Sequence, residues 1–126
     1  MIQPGVPSIT AREASKATDA SAAPDTGSRP LIIDVREAGE FAQERIVGVA
    51  LVPISQFVAR HQELPKDRPL LMLCAAGSRS TSATMYLLQA GWTDVRNITG
   101  GMIGWRQAGL PIVTGPPQVG EGDLTG

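Results

Sequence analysis

The sequence is short of the residues that build metal centres and disulfides. It holds one cysteine, Cys74, and one histidine, His61, in 126 residues. A lone cysteine forbids an internal disulfide, and together the two offer too few soft ligands for a Cys/His metal site. Neither charge is in excess: 11 basic residues face 12 acidic ones, a net charge of −1. That excludes the broad basic surface that nucleic acid or an anionic membrane would select. No apolar run approaches the ~18 residues a membrane span requires. Residues 1–7 have neither a basic n-region nor a long apolar h-region, so no signal peptide is expected. A free thiol fits a reducing compartment. The expectation is a soluble cytoplasmic protein without metal or cofactor.

What is present suits one globular domain with a real core: apolar residues make up 42% and charged residues 18%. Residues 1–7, with two prolines and a glycine, read as a flexible lead-in, residues 8–115 as the domain, and residues 116–126 as a flexible tail rich in Pro, Gly and acidic residues. Ser8-Ile9 reads as a short edge strand. Thr10 and Glu13 form a Thr-x-x-Glu capping box for a helix from Ala11 to about Ala17. Asp19 to Pro30 reads as a loop. Leu31 to Val35 is a strand interrupted near its end by Asp34. Glu37 to Glu44 is a short helix with Phe41 inward, and Val49 to Pro53 is another strand. Ser55 is the expected cap of a helix from Gln56 to about His61 that buries Phe57 and Val58. Asp94 to Ile98 is a weaker strand. Gly100-Gly101 opens a last helix carrying Met102 and Trp105, and Gly109 and Pro111 close it.

The stretch from Leu70 to Ser80 carries the chemistry. Four apolar residues, Leu70 to Leu73, run into Cys74, as expected of a strand buried on both faces. Small residues follow, then Arg79, then a helix expected over Thr81 to Ala90, with Ala83, Leu87 and Ala90 on one face and Leu88 widening it. Strand, small-residue loop and helix in that order surround the loop's centre with backbone N–H groups and a helix N-terminus, a cradle for an anion. A cysteine there has a lowered pKa, and its thiolate is the reactive form. Strands alternating with helices predict an α/β fold, a central parallel sheet of about five strands with helices on both faces. Ligands in such sheets sit beyond the carboxyl ends of the strands, where Asp34 and Cys74 both stand.

The motifs resemble those of rhodanese-like domains. Asp34-Val35-Arg36-Glu37 with Glu40-Phe41 is similar to that family's Asp-Val-Arg…Glu-Phe segment. Arg45-Ile46-Val47-Gly48-Val49-Ala50 occupies the place of its His-Ile-Pro-Gly-Ala segment. Cys74-Ala75-Ala76-Gly77-Ser78-Arg79-Ser80 looks like its active-site loop. Gly100-Gly101-Met102-Ile103-Gly104-Trp105 and Gly109-Leu110-Pro111-Ile112 resemble its closing signature.

The resemblance implies a rhodanese-like sulfurtransferase in which Cys74 carries sulfane sulfur as a persulfide. A small anionic donor such as thiosulfate, or a protein persulfide, would supply the sulfur; cyanide or a thiol, free or on a protein, would accept it. Backbone N–H groups from Ala75, Ala76, Gly77, Ser78, Arg79 and Ser80 would cradle the persulfide and the donor. Arg79 would either face the anion or brace the loop, by pairing with Asp34 or capping carbonyls. Related phosphatases set one more residue between Cys and Arg; the four here, Ala75 to Ser78, make a tighter ring that favours sulfur over phosphate. A phosphatase or arsenate reductase is further disfavoured by the lack of a second cysteine.

The departures are Arg45 where the family often has His, Val47 where it often has Pro, and Ala75 where many thiosulfate users carry Arg or another polar residue, so that with Ala76 the loop rim has fewer positive charges. The first two imply altered packing or surface charge, the alanines weaker use of thiosulfate. A catalytically weak or silent module for interaction or regulation is the alternative. Asp34 is expected to orient the loop, Arg36 to make a surface pair with Glu40 four residues on, and His61 to be solvated. Trp92 and Trp105 are expected in the core or a cleft wall.

Overall fold

The computed structural model describes residues 5–19 and 29–124. Most of the lead-in at residues 1–7 and most of the loop expected over Asp19 to Pro30 lie outside the described residues. In chain order the first elements are β1 (Ser8–Ile9), α1 (Ala11–Ala17), β2 (Leu31–Asp34), α2 (Ala38–Gln43), β3 (Glu44–Arg45) and β4 (Ala50–Leu51). They are followed by α3 (Phe57–Arg60), β5 (Leu70–Leu73), α4 (Ser78–Gln89), β6 (Val95–Ile98), α5 (Gly101–Gln107) and β7 (Val113–Thr114).

Five strands form one sheet in the order β1-β6-β5-β2-β4, and every neighbouring pair is parallel. The central strand β5 explains its own sequence, because all four of its residues are buried. Successive side chains of a strand point to opposite faces. Leu70 and Met72 accordingly join a layer with Phe57 of α3 and Ala83 and Leu87 of α4, and Cys74 continues that side. Leu71 and Leu73 join the other layer, with Ala14 of α1, Phe41 of α2, and Met102 and Trp105 of α5. The α/β architecture with helices on both faces is as the alternating pattern predicts. No helix among the described residues is long and apolar enough to cross a membrane.

The first helix starts where its capping signal places it. Thr10 Oγ1 accepts from the Glu13 N–H at 3.1 Å, and Glu13 Oε1 accepts from the Thr10 N–H at 3.0 Å, so both halves of the capping box form. Trp105 donates from Nε1 to the Pro111 carbonyl, and Trp92 to that of Pro65, so both tryptophans serve the core.

Other expectations are corrected. Ser55 is no helix cap: its N–H and Oγ donate to the Glu37 carboxylate at 3.1 and 2.8 Å. The helix there is a single α-turn between 3-10 turns at Ile54–Gln56 and His61–Glu63. So short a turn directs Phe57 inward and leaves Val58 65% exposed. His61 is buried rather than solvated, its Nδ1 2.7 Å from the Val58 carbonyl oxygen and its ring against Tyr86 and Trp92. Ala90 caps the exposed end of α4 instead of extending its buried face.

The chain after Gly115, expected to be a loose tail, is tied down as far as it is described. Pattern reading also missed the antiparallel pair of β3 with β7 that leads into it. Arg45 is the reason: it is 2% exposed, and a buried cation needs partners. It pairs with Glu121 and donates to the carbonyls of Gly115 and Pro116. Gly122 then accepts from the Leu51 N–H at 2.7 Å on edge strand β4, and Leu124 packs on the core. Arg45 therefore alters packing, one of the two effects its departure from the family motif implied.

Candidate active site

Cys74 is the first residue beyond β5, at the carboxyl edge of the sheet. On the neighbouring strand Asp34 lies level with Leu73, and the Val35 N–H donates to the Leu73 carbonyl at 2.8 Å. The two residues thus reach one edge, as the strand pattern predicts.

The loop is shorter than the sequence suggests, because α4 begins at Ser78 rather than Thr81. Gly77 makes this possible. As residue before the helix it takes φ +114°, a left-handed conformation that favours glycine. Its N–H donates to Cys74 Sγ at 3.0 Å, and its carbonyl accepts from the Thr81 N–H and hydroxyl. Ser78, Arg79 and Ser80 are therefore the first turn of a helix whose free N–H groups face the loop.

A second helix end fixes the loop from behind. The N–H groups of Met102 and Ile103 donate to the carbonyls of Cys74 and Ala75 at 2.9 and 3.1 Å. The approach is so close that a β-carbon at Gly101 would lie 2.4 Å from the Cys74 oxygen and 2.6 Å from that of Ala75. The glycine at 101 is thus required by contact with the loop. Its carbonyls are held by α5, while amides of the same loop serve the sulfur.

Burial pushes the Cys74 thiol up, since it disfavours the charged form. The Ser80 hydroxyl, 3.3 Å from Sγ, and the backbone N–H groups of Ser80, Gly77 and Ala76 act against it. These bonds prevail, and the thiol lies below the usual cysteine value. The side chain is buried, yet its hydrogen bonds ease its ionisation, unlike the surroundings of an inert core cysteine.

The charged residues nearby are paired differently from the expectation. Arg36 does not form a surface pair with Glu40. It is buried and grips Asp34, Nε on Oδ1 at 3.0 Å and Nη2 on Oδ2 at 2.8 Å. Its remaining N–H groups go to the carbonyls of Glu40 and Glu44. Arg79 in turn does not reach Asp34. It makes a two-pronged pair with the Glu40 carboxylate at 2.7 and 2.9 Å. Hydrogen bonds from Arg79, above all, hold the Glu40 carboxyl at about 2, and the Arg79 guanidinium is raised in turn. Its charge is thus largely answered inside the protein.

Sequence reasoning missed three residues of this region: Glu40 as the partner of Arg79, Gly101 as the contact to the loop, and Asn97. On β6 Val95 is buried, Arg96 exposed and Asn97 buried, and the Asn97 Oδ1 lies 2.5 Å from Ser80 Oγ. Strand alternation applied to β6 marks Asn97 as an inward polar residue, the signal that could have found it. Among the described residues no cluster of His, Cys, Asp and Glu could hold a metal ion.

The rhodanese-like domain profile matches residues 13–108. The chain belongs to the rhodanese-like family. Among its relatives in the family is a sulfurtransferase of Allochromatium vinosum, 41% identical over 83 residues, which span 66% of this chain and 78% of the relative. The thiosulfate sulfurtransferase GlpE of Actinobacillus succinogenes is 30% identical over 67% of this chain and 76% of its own length. Among solved structures, a rhodanese-related protein of Thermoplasma volcanium superposes with TM-score 0.72 at 27% identity, over 85% of this chain and 97% of that one. A thiosulfate sulfurtransferase of Pseudomonas aeruginosa gives TM-score 0.75 at 31% identity, over 90% of this chain but 21% of its own. The rhodanese fold and the family resemblance of the motifs thus agree.

Proposed function

We propose that the protein is a sulfurtransferase that carries sulfane sulfur on Cys74. The Sγ thiolate attacks the outer sulfur of a donor. A Cys74–sulfur bond forms as the donor's sulfur–sulfur bond breaks, and the electron pair leaves with sulfite from thiosulfate or with a thiolate from an organic persulfide. Cyanide or an acceptor thiol then attacks the terminal sulfur, forming thiocyanate or a new persulfide, and Cys74 departs as thiolate. The observation that carries the reading is the N–H of Gly77 on Sγ at 3.0 Å, with the Ser80 hydroxyl beside it. The N–H groups of Ala75, Ala76, Gly77, Ser78, Arg79 and Ser80 form the cradle in this reading. The short interval between Cys74 and Arg79 supports sulfur over phosphate, and the names of the relatives point the same way.

The donor follows from charge. The rim residues Ala75 and Ala76 are neutral, and Arg79 is engaged by Glu40. A dianion such as thiosulfate gains little there, so thiosulfate is a poor donor and a thiol-borne or protein-borne persulfide a better one. The same pairing is the observation that favours the alternative, a weak or silent interaction module. Cyanide added to protein preincubated with thiosulfate or an organic persulfide separates the two readings. The sulfurtransferase releases thiocyanate and the Cys74→Ser variant none; no thiocyanate with either donor, mercaptopyruvate or a cysteine-desulfurase partner leaves the silent module.

A further inference from the structure

Ser80 has more acceptors than protons. Its Oγ lies 3.3 Å from Cys74 Sγ, 3.2 Å from the Gly77 carbonyl oxygen and 2.5 Å from Asn97 Oδ1. A hydroxyl carries one proton and two lone pairs. While Cys74 holds its proton, the chain can run one way: the thiol donates to Ser80, and Ser80 donates to Asn97 Oδ1. Once Cys74 is a thiolate, the Ser80 proton is needed at Sγ. Oxygen would then face oxygen across the short contact to Asn97, which is repulsive. An amide removes the conflict by turning over, because its NH₂ end occupies nearly the same space and donates where the oxygen accepted.

We propose that Asn97 is a positioning residue for Cys74, acting through Ser80: by presenting either its oxygen or its NH₂ it reverses a buried hydrogen-bond chain when the thiol becomes a thiolate. Burial makes the reversal matter. Ser80 is fully buried and Asn97 is 7% exposed, so an unmade bond is costly and a complete chain gains strength from each member. A bond to the charged sulfur is about twice as strong as a neutral one, so the thiolate gains more from the completed chain than the thiol does. The other groups around Cys74 cannot reverse in this way. Arg79 on α4 bears a fixed charge paired to Glu40 of α2, Asp34 at the end of β2 is held by Arg36, and Arg96 points outward from β6. The neighbouring α5 contributes only backbone N–H groups to the loop.

The inference rests on Cys74 working as a thiolate, but its test needs no sulfur donor. The rate of alkylation of the single cysteine by iodoacetamide, followed against pH in the full chain, reports the thiolate. Asn97→Asp can only accept while ionised, so it keeps the Ser80 proton away from Sγ. Alkylation at pH values below both midpoints should slow about tenfold, as the midpoint of the profile moves up by about one unit. Asn97→Ala should move it the same way by less. Ser80→Ala should also raise the midpoint, and on that background Asn97→Ala should add almost nothing. Equal midpoints for native and Asn97→Ala protein overturn the proposal. So does an Asn97→Asp shift that persists in full without Ser80, since that is a direct effect of the added charge. Should Asn97→Asp fail to fold by circular dichroism, the Asn97→Ala and Ser80→Ala pair decides alone. A shifted profile in a protein that forms no persulfide would sink the sulfurtransferase reading and leave this one standing; the reverse result would do the opposite.

Discussion

Two arginine–carboxylate pairs flank the carboxyl edge of the sheet, alike in chemistry and unlike in depth. Arg36 and Asp34 have side chains 4% and 0% exposed, whereas Arg79 and Glu40 have theirs 32% and 37% exposed. In the buried pair the loose ends are satisfied as well: Arg36 reaches two carbonyls, and Asp34 accepts from the Arg36 N–H. The outer pair is only partly buried, at the first turn of α4 beside the loop. Depth decides what each does. The inner pair locks the end of β2 to α2 and β3, and under the proposed function the outer pair would set how much charge an incoming donor meets. Glu40 belongs to both, with its carbonyl on Arg36 and its carboxylate on Arg79.

The largest effect should come from breaking the inner pair. Arg36→Ala strands a buried carboxylate and should cost about 3–5 kcal/mol in urea unfolding, a large part of an ordinary domain's stability. A loss below about 1 kcal/mol, typical of exposed pairs, would erase the distinction between the two sites.

Next come changes to charge at the mouth. Ala75→Arg adds an unmatched cation and should raise kcat/KM for thiosulfate about tenfold, and Glu40→Gln, which releases Arg79 from its partner, about threefold. Unchanged rates in both would remove rim charge as the limit. Acid cannot substitute for the second change. The folded carboxyl of Glu40 lies at about 2, below its usual 4.5, so the pair's contribution to stability is complete above about 4.5. It is lost only as pH falls from there towards 2. Lowering the pH from 7 to 5 should therefore leave Arg79 engaged, and thiosulfate use in the native protein should show no rise over that range that Glu40→Gln lacks.

The smallest effect should be on stability at the outer pair. Arg79→Ala should lower the stability measured by urea unfolding by no more than about 1 kcal/mol, since water and salt already screen the pair. A loss comparable to that of Arg36→Ala would make Arg79 a brace of the fold rather than a charge at the mouth.

The sequence makes the frame and the place of Cys74 at the end of its strand legible, because each depends on neighbours in the chain. Four apolar residues before Cys74 mark a doubly covered strand, Thr10 and Glu13 mark a helix start, and the small residues before Arg79 mark the loop. What stays hidden depends on residues far apart. The spacing of Arg36 and Glu40 suggests a helical ion pair, but Arg36 precedes α2 and turns back to Asp34, freeing Glu40 for Arg79 39 residues away. Arg45 finds Glu121 across 76 residues, and with it the order of the chain after Gly115. The need for glycine at 101 becomes visible only when α5 meets the loop, and the place of Asn97 only when β6 lies beside β5.

The central claim is that Cys74 carries the transferred sulfur. Intact-mass spectrometry tests it most directly, on protein as purified and after incubation with thiosulfate or an organic persulfide. The account predicts the gain of one sulfur atom, reversed by cyanide, with the organic persulfide loading the protein more fully, and no gain in Cys74→Ser. A native protein that gains no mass with any donor, or a Cys74→Ser variant that still gains it, would contradict the account.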